Sequence, residues 1–181
     1  METTKKTNSF WQDMARPVVV LVVICLVASA LLGLVNATTK PVIEANRERT
    51  AAETRQAALP AATSFEKLDV SAELQEKGVT GLYKGDNGTG YVATAVSKGY
   101  GGDVTVTVGF DAEGKILNVK ADVGTETTGV GSKVGVADVL ARFEGKSGNV
   151  DDVTLVSGAT YTSKAVRAGV NAALAAVESV K

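Results

Sequence analysis

The residues best placed to do chemistry lie in one hydroxyl-rich run, Ser157-Gly158-Ala159-Thr160-Tyr161-Thr162-Ser163, which leads into a long Ala/Val-rich segment. Hydroxyl oxygens at a helix start accept hydrogen bonds from the free backbone amides there, so the plainest reading is N-capping. One hydroxyl suffices for a cap, however. Gly158 and Ala159 also allow close backbone approach where a helix N-terminus favours negative charge. The residues therefore leave two readings open, a cap, or a phosphate or phosphoester site. A second candidate is the Gly/Thr-rich stretch 124–133. Gly124-Thr125-Glu126-Thr127-Thr128-Gly129 has the spacing that opens a P-loop, but Val130 and Gly131 stand where Lys and Ser/Thr are required. That excludes a P-loop triphosphatase. Gly129, Gly131 and Gly135 also miss the dinucleotide-binding spacing, and the stretch by itself reads as a turn-rich connector.

Composition narrows the chemistry further. The 181 residues contain no His, and Cys25 is the only Cys. Ser-His-Asp and Cys-His catalysis are excluded, as are zinc sites built on His or Cys and the usual haem and iron–sulfur ligands. Mg²⁺ or Ca²⁺ held by carboxylates is still compatible. Lys and Arg number 19 against 20 Asp and Glu, a net charge of −1, and aromatics are 5%. A nucleic-acid binder needs a basic excess and stacking aromatics, so none is expected as a partner. Demanding chemistry in such a chain has to come from a cofactor.

The elements that must position these motifs begin with an uncharged run, Pro17–Thr39, stopped by Arg16 and Lys40. At ~1.5 Å per residue it spans roughly 34 Å, enough for a bilayer core of about 30 Å. A cleaved signal peptide ending at Ala28-Ser29-Ala30 is the competing reading, but Leu31, Leu32, Leu34 and Val35 carry the apolar run past that point, which favours an uncleaved anchor. Cys25 reads as an apolar filler within it. Basic residues flank the run almost equally, so charge does not orient it. A polar helix is expected to start at Pro41 and to end at Leu59-Pro60, a stalk or surface helix, and a second short helix over 71–76. From Val79 the texture is that of strands. Tyr91–Val96 is one candidate. Val104, Val106 and Val108 alternate with Thr105 and Thr107 in a second, which a turn at 111–114 joins to a returning strand over 115–123. A short helix over 136–143, a brief strand over 153–156 and a long helix over 161–180 complete an α+β domain.

On these residues the chain resembles a known family. Ser157-Gly158-Ala159-Thr160-x-Thr162 is similar to the flavinylation motif of the FMN-binding domain family, in which the Thr that ends the Ser/Thr-Gly-Ala-Thr run carries FMN through a phosphoester. Lys98-Gly99-Tyr100-Gly101-Gly102 resembles the family's turn, Gly90-Tyr91-Val92 its strand, and Glu126-Thr127-Thr128-Gly129-Val130-Gly131 its loop against the flavin. Thr128, Val130, Gly124 and Thr154 stand where the family often has Pro, Leu, His and Asp. The resemblance implies covalent FMN on Thr160, and cofactor contacts from Ser157, Gly158, Ala159, Thr162, Glu126, Thr127, Gly129, Val130 and Gly131. Ser157 and Thr162 would act as donors, Lys133 is either a charge near the flavin or a solvated side chain, and Tyr91 and Tyr100 either flank the ring or pack.

The family includes the RnfG component of the Rnf complex and the flavin-carrying C-type component of the sodium-translocating NADH:quinone reductase. The resemblance thus implies an electron-transfer subunit of an Rnf-type ferredoxin:NAD⁺ oxidoreductase coupled to Na⁺ or H⁺ translocation. Alternatives are the C-type component of a quinone reductase, a stand-alone extracytoplasmic flavoprotein, or, in a different class, a non-catalytic membrane-anchored assembly or adhesion domain whose hydroxyl run is only a cap. The implied partners are the other subunits of the complex, a flavin transferase and the lipid bilayer. The implied organisation is a tail (1–16), a transmembrane helix (17–39), a juxtamembrane helix or stalk (40–60) and an FMN-binding domain (61–181), with the N-terminus inside and the FMN domain outside the cytoplasmic membrane.

Overall fold

The computed structural model describes residues 4–181, with side chains from Met14 onward, so the first part of the expected tail lies outside the described residues. The chain divides into two units after Thr50. In the first, Val18 to Val35 are exposed along a helix, α1 (Thr4–Ala58), that is long and apolar enough to cross a bilayer. Thr38 returns its hydroxyl to the carbonyls of Val35, at 2.9 Å, and Leu34, so the polar atom at the end of the apolar run is satisfied within the helix. The expected helix start at Pro41 is not found, because α1 passes through both Pro17 and Pro41. Each proline removes one backbone donor, but the helix on either side is already nucleated, so it propagates across the gap.

The second unit starts with the last turns of α1. Five antiparallel strands follow in the spatial order of the sequence: β1 (Phe65–Leu68), β2 (Val79–Gly85), β3 (Tyr91–Lys98), β4 (Asp103–Phe110) and β5 (Ile116–Asp122). A short helix, α2 (Ala72–Glu76), separates β1 from β2, another, α3 (Ala137–Leu140), follows β5, and α4 (Thr160–Glu178) ends the fold. The period-2 pattern read in the sequence puts Val104, Val106, Val108 and Phe110 on one face of β4, with Ala93 opposite Val108 and Ala95 opposite Val106. Onto that face α4 lays Val166, Val170, Ala173, Leu174 and Val177, all buried. Gly169 sets the approach, since a Cβ there would stand 2.8 Å from Val106 Cγ2. On the opposite face Ala58, Leu59 and Ala62 cover Val92, and the Arg55 guanidinium lies 4.4 Å from the centre of the Tyr83 ring.

The hairpin forms as expected, closed by Gly114 at φ +79° and by Asp111 Oδ1, which accepts the Lys115 amide at 2.7 Å. The strand expected over 153–156 does not form. Val153 is turned into the core, its amide donates to the Val150 carbonyl, and the Val156 amide is taken by Ser163 Oγ, so no edge is left to pair. β1, only four residues long, has no counterpart among the expected strands.

Candidate functional site

Three segments far apart in sequence meet at the start of α4: the turn after β3 (99–102), the loop after β5 (123–135) and the lead-in 153–159. The cap reading of the hydroxyl run is not realised. Ala159 is the N-cap residue, with φ −124° and ψ 41°, and no side chain caps the helix. The first intrahelical bond runs from the Ser163 amide to the Ala159 carbonyl at 2.9 Å. The amides of Thr160, Tyr161 and Thr162 therefore have no carbonyl within the helix to bond.

The hydroxyls divide by helical phase. Residues two apart differ by about 200° around the axis, so if one of Thr160 and Thr162 faces the domain the other faces out. Thr162 is buried and donates to Glu126 Oε2 at 2.7 Å. Ser163 is buried and accepts the Val156 amide at 3.1 Å. Thr160 and Ser157 are exposed. Among the described residues neither of these two hydroxyls has a partner, whereas Thr162, expected to donate toward a ligand, has its proton committed.

Glu126 is the polar centre of this corner. It is only 6% exposed, in a loop whose other residues from Thr125 to Val130 lie in solvent. Besides the Thr162 hydroxyl it accepts the Gly101 amide on Oε1 at 3.1 Å. The Thr162 hydrogen bond is the main reason its carboxyl is held below the usual carboxylate range; burial opposes this, and the amides of the 100–102 turn assist. Glycine makes the enclosure possible. A Cβ on Gly131 would sit 2.7 Å from Glu126 Oε2 and 2.9 Å from Thr162 Oγ1, and one on Gly99 would collide with Glu126 Oε1. The remainder of the loop is closed by the Gly129 amide donating to Ser132 Oγ at 2.8 Å, with Gly129 at φ +80°.

Two exposed aromatic rings lie together at the helix start. Tyr100 on the turn and Tyr161 on the helix are 75% and 71% exposed, with ring centroids 6.1 Å apart. Val130 is also exposed, as are Thr127 and Gly129, while Lys133 points into solvent. Gly158, at φ +79°, has open space where a side chain would be. Tyr91 packs against the core instead. Tyr161 is absent from the residues that the sequence marks for the site, although an aromatic directly after Thr160 is its signal. The acids upstream of Thr154 have a structural use: the Asp151 carboxylate accepts Asn171 Nδ2 at 2.9 Å, and its backbone carbonyl accepts Arg167, which ties the lead-in to α4.

The profile of the FMN-binding domain family matches residues 99–175, a span that contains the turn, the loop and the helix start. The G component of the Na(+)-translocating ferredoxin:NAD(+) oxidoreductase complex of Acetobacterium woodii is 33% identical over 198 aligned residues, covering 94% of this chain and 95% of its own. The G component of the proton-translocating ferredoxin:NAD(+) oxidoreductase complex of Clostridium ljungdahlii is 28% identical over 165, covering 85% and 86%. With similarity of that extent running through every segment of the corner just described, the chain belongs to the FMN-binding domain family.

Proposed function

We propose that the chain is a membrane-anchored flavoprotein subunit of a ferredoxin:NAD⁺ oxidoreductase complex that couples electron flow to ion translocation, and that it carries FMN as a phosphoester on Thr160. The observation that carries the attachment site is the free, exposed Thr160 hydroxyl on an uncapped helix start whose buried hydroxyl neighbours are already engaged. Near-complete alignment with two G components of such complexes supports the place in a complex.

The residues fit this group. A phosphodiester keeps one negative charge, which the first-turn amides and the helix dipole favour. Ser157, exposed three residues before Thr160, offers a further donor. Tyr100, Tyr161 and Val130 supply apolar surface of the kind a flat heteroaromatic ring requires, and Gly129 and Gly158 leave the approach clear. FMN supplies the electron transfer; the chain binds, orients and holds it at the membrane.

Attachment requires a flavin transferase and an activated flavin donor. The Thr160 oxygen attacks the phosphorus of the donor's pyrophosphate, an O–P bond forms, the P–O–P bond breaks, the nucleoside monophosphate leaves and the hydroxyl proton passes to the transferase. Thr162 and Ser163 are shielded from this reaction by burial. The N-terminus is inside and the flavin domain outside the cytoplasmic membrane. Protease treatment of sealed vesicles tests that arrangement: cleavage of the flavin domain only after lysis of right-side-out vesicles would reverse it.

Co-expression of the full chain with a flavin transferase, followed by denaturing electrophoresis, tests the attachment. In-gel flavin fluorescence is expected in the wild type and absent in Thr160→Ala. Fluorescence retained by Thr160→Ala would move the site elsewhere.

A further inference from the structure

The run 157–163 offers several hydroxyls within a few residues, yet a single attachment site requires that one be presented and the others withheld. Thr162 is the critical competitor, since it has the same chemistry as Thr160 and lies on the same helical turn. We propose that Glu126 is a positioning and site-selecting residue: by accepting the Thr162 hydroxyl it fixes the rotation of the first turn of α4, so that Thr160 faces out and Thr162 is withheld from modification. This rests on the reading of Thr160 as the attachment site.

Three observations carry it. The Glu126–Thr162 bond is short, at 2.7 Å, and both residues are buried, so it is protected from competition by water. The carboxylate is itself held from the other side, by the Gly101 amide at 3.1 Å, so it is a fixed reference point for the helix. Gly99 and Gly131 have no room for a Cβ because Glu126 and Thr162 fill that space, so two backbone segments are packed directly against the pair. No side-chain cap fixes the entry into α4; its first turn is held by Ser163 Oγ, which accepts the Val156 amide of the lead-in, and, from the loop, by the Thr162 hydroxyl donating to Glu126, the bond that bears on Thr162 itself.

The test uses the unmodified full chain in detergent, a flavin transferase and flavin adenine dinucleotide as the donor. The readouts are the initial rate of FMN incorporation, the modified peptide position by mass spectrometry, and the thermal melt of each unmodified chain. Thr162→Val is expected to slow incorporation at Thr160 roughly ten- to a hundredfold, and Thr162→Ser, which restores the donor, to bring it back to within about twofold of wild type. Glu126→Ala, which frees the Thr162 hydroxyl, is expected to move part of the label onto Thr162, a result that loss of stability alone does not produce. Glu126→Met/Thr162→Val keeps the packing without the hydrogen bond and without stranding a buried charge, so it decides the matter if a single variant does not fold. The lock predicts slow incorporation in a double variant with a near-wild-type melt. Wild-type rate and position in that variant would overturn the lock and leave the attachment site standing. A wild-type chain that takes up no flavin would overturn both.

Discussion

From Ala165 onward α4 is a packing element. Val166, Val170, Ala173 and Leu174 are buried against β3 and β4, and Gly169 lets the helix settle on Val106. The first turn follows another rule. It leaves Thr160 and Tyr161 in solvent, lacks a side-chain cap, and touches the domain through Thr162 and Ser163, whose hydroxyls are both hydrogen-bonded. The same helix is thus held mainly by apolar area beyond its first turn, where Arg167 and Asn171 add polar ties to the lead-in, and by buried hydroxyl bonds at its start. Apolar burial stabilises but tolerates small rotations; a buried hydrogen bond to a carboxylate specifies one. A site that presents one hydroxyl and withholds its neighbour needs the second kind of contact.

The comparison can be broken most forcefully in the packed part. Leu174→Ala is expected to destabilise the domain by about 2–5 kcal/mol, the range for truncating a buried leucine. It should leave Thr160 as the modified residue in whatever fraction is folded, as read by denaturant unfolding and peptide mapping of one sample. A shift in the modified position would mean that the two parts are not separable. Gly131→Ala strikes the other part. Its Cβ has no space beside Glu126 and Thr162, so a loss of about 1–3 kcal/mol is expected, together with slower flavin incorporation. Equal stability with unchanged incorporation would show that the corner can repack.

Acid sharpens the contrast more gently. The Glu126 carboxyl is held below its ordinary value of 4.5, chiefly by Thr162. A group whose folded pKa is depressed contributes stability that is present above the ordinary value and lost as pH falls through the folded one. Between about pH 6 and about pH 3 the wild type should therefore lose more stability than Glu126→Gln, which has no proton to gain there. Melts of the two chains that stay parallel over that range would remove Glu126 from the acid response. The smallest effect is expected for Tyr100→Ser/Tyr161→Ser. Both rings are mostly exposed, so stability should change by no more than about 0.5 kcal/mol, while the absorbance and fluorescence of the attached flavin should shift. An unchanged flavin spectrum would remove the rings from the site.

How much of this the sequence announces depends on how local each signal is. The apolar run 17–39 and the alternation of Val104, Val106 and Val108 are period signals, complete within one segment, and both are readable. β1 is not, because its four residues, Phe65-Glu66-Lys67-Leu68, are few and do not alternate. The stretch 153–156 misleads for the opposite reason: its apolar residues fill the core from a turn rather than from a ladder. Thr160 is reached through its motif. Glu126 reads as a ligand-loop residue, but its burial is invisible, since a Glu among Thr and Gly looks solvated. Its environment is made by Gly101, Gly131 and Thr162, which only the folded chain brings together. Whether Thr160 or Thr162 faces out likewise depends on which side of α4 meets the sheet, a property of packing and not of the run itself.

The most direct measurement is the mass of the full chain after maturation with a flavin transferase, followed by peptide mapping under denaturing conditions. One added FMN, less one water, on the peptide that contains Thr160, and none in Thr160→Ala, is the expected result. A flavin that is released on denaturation, or a chain whose mass is unchanged, would contradict covalent attachment at Thr160.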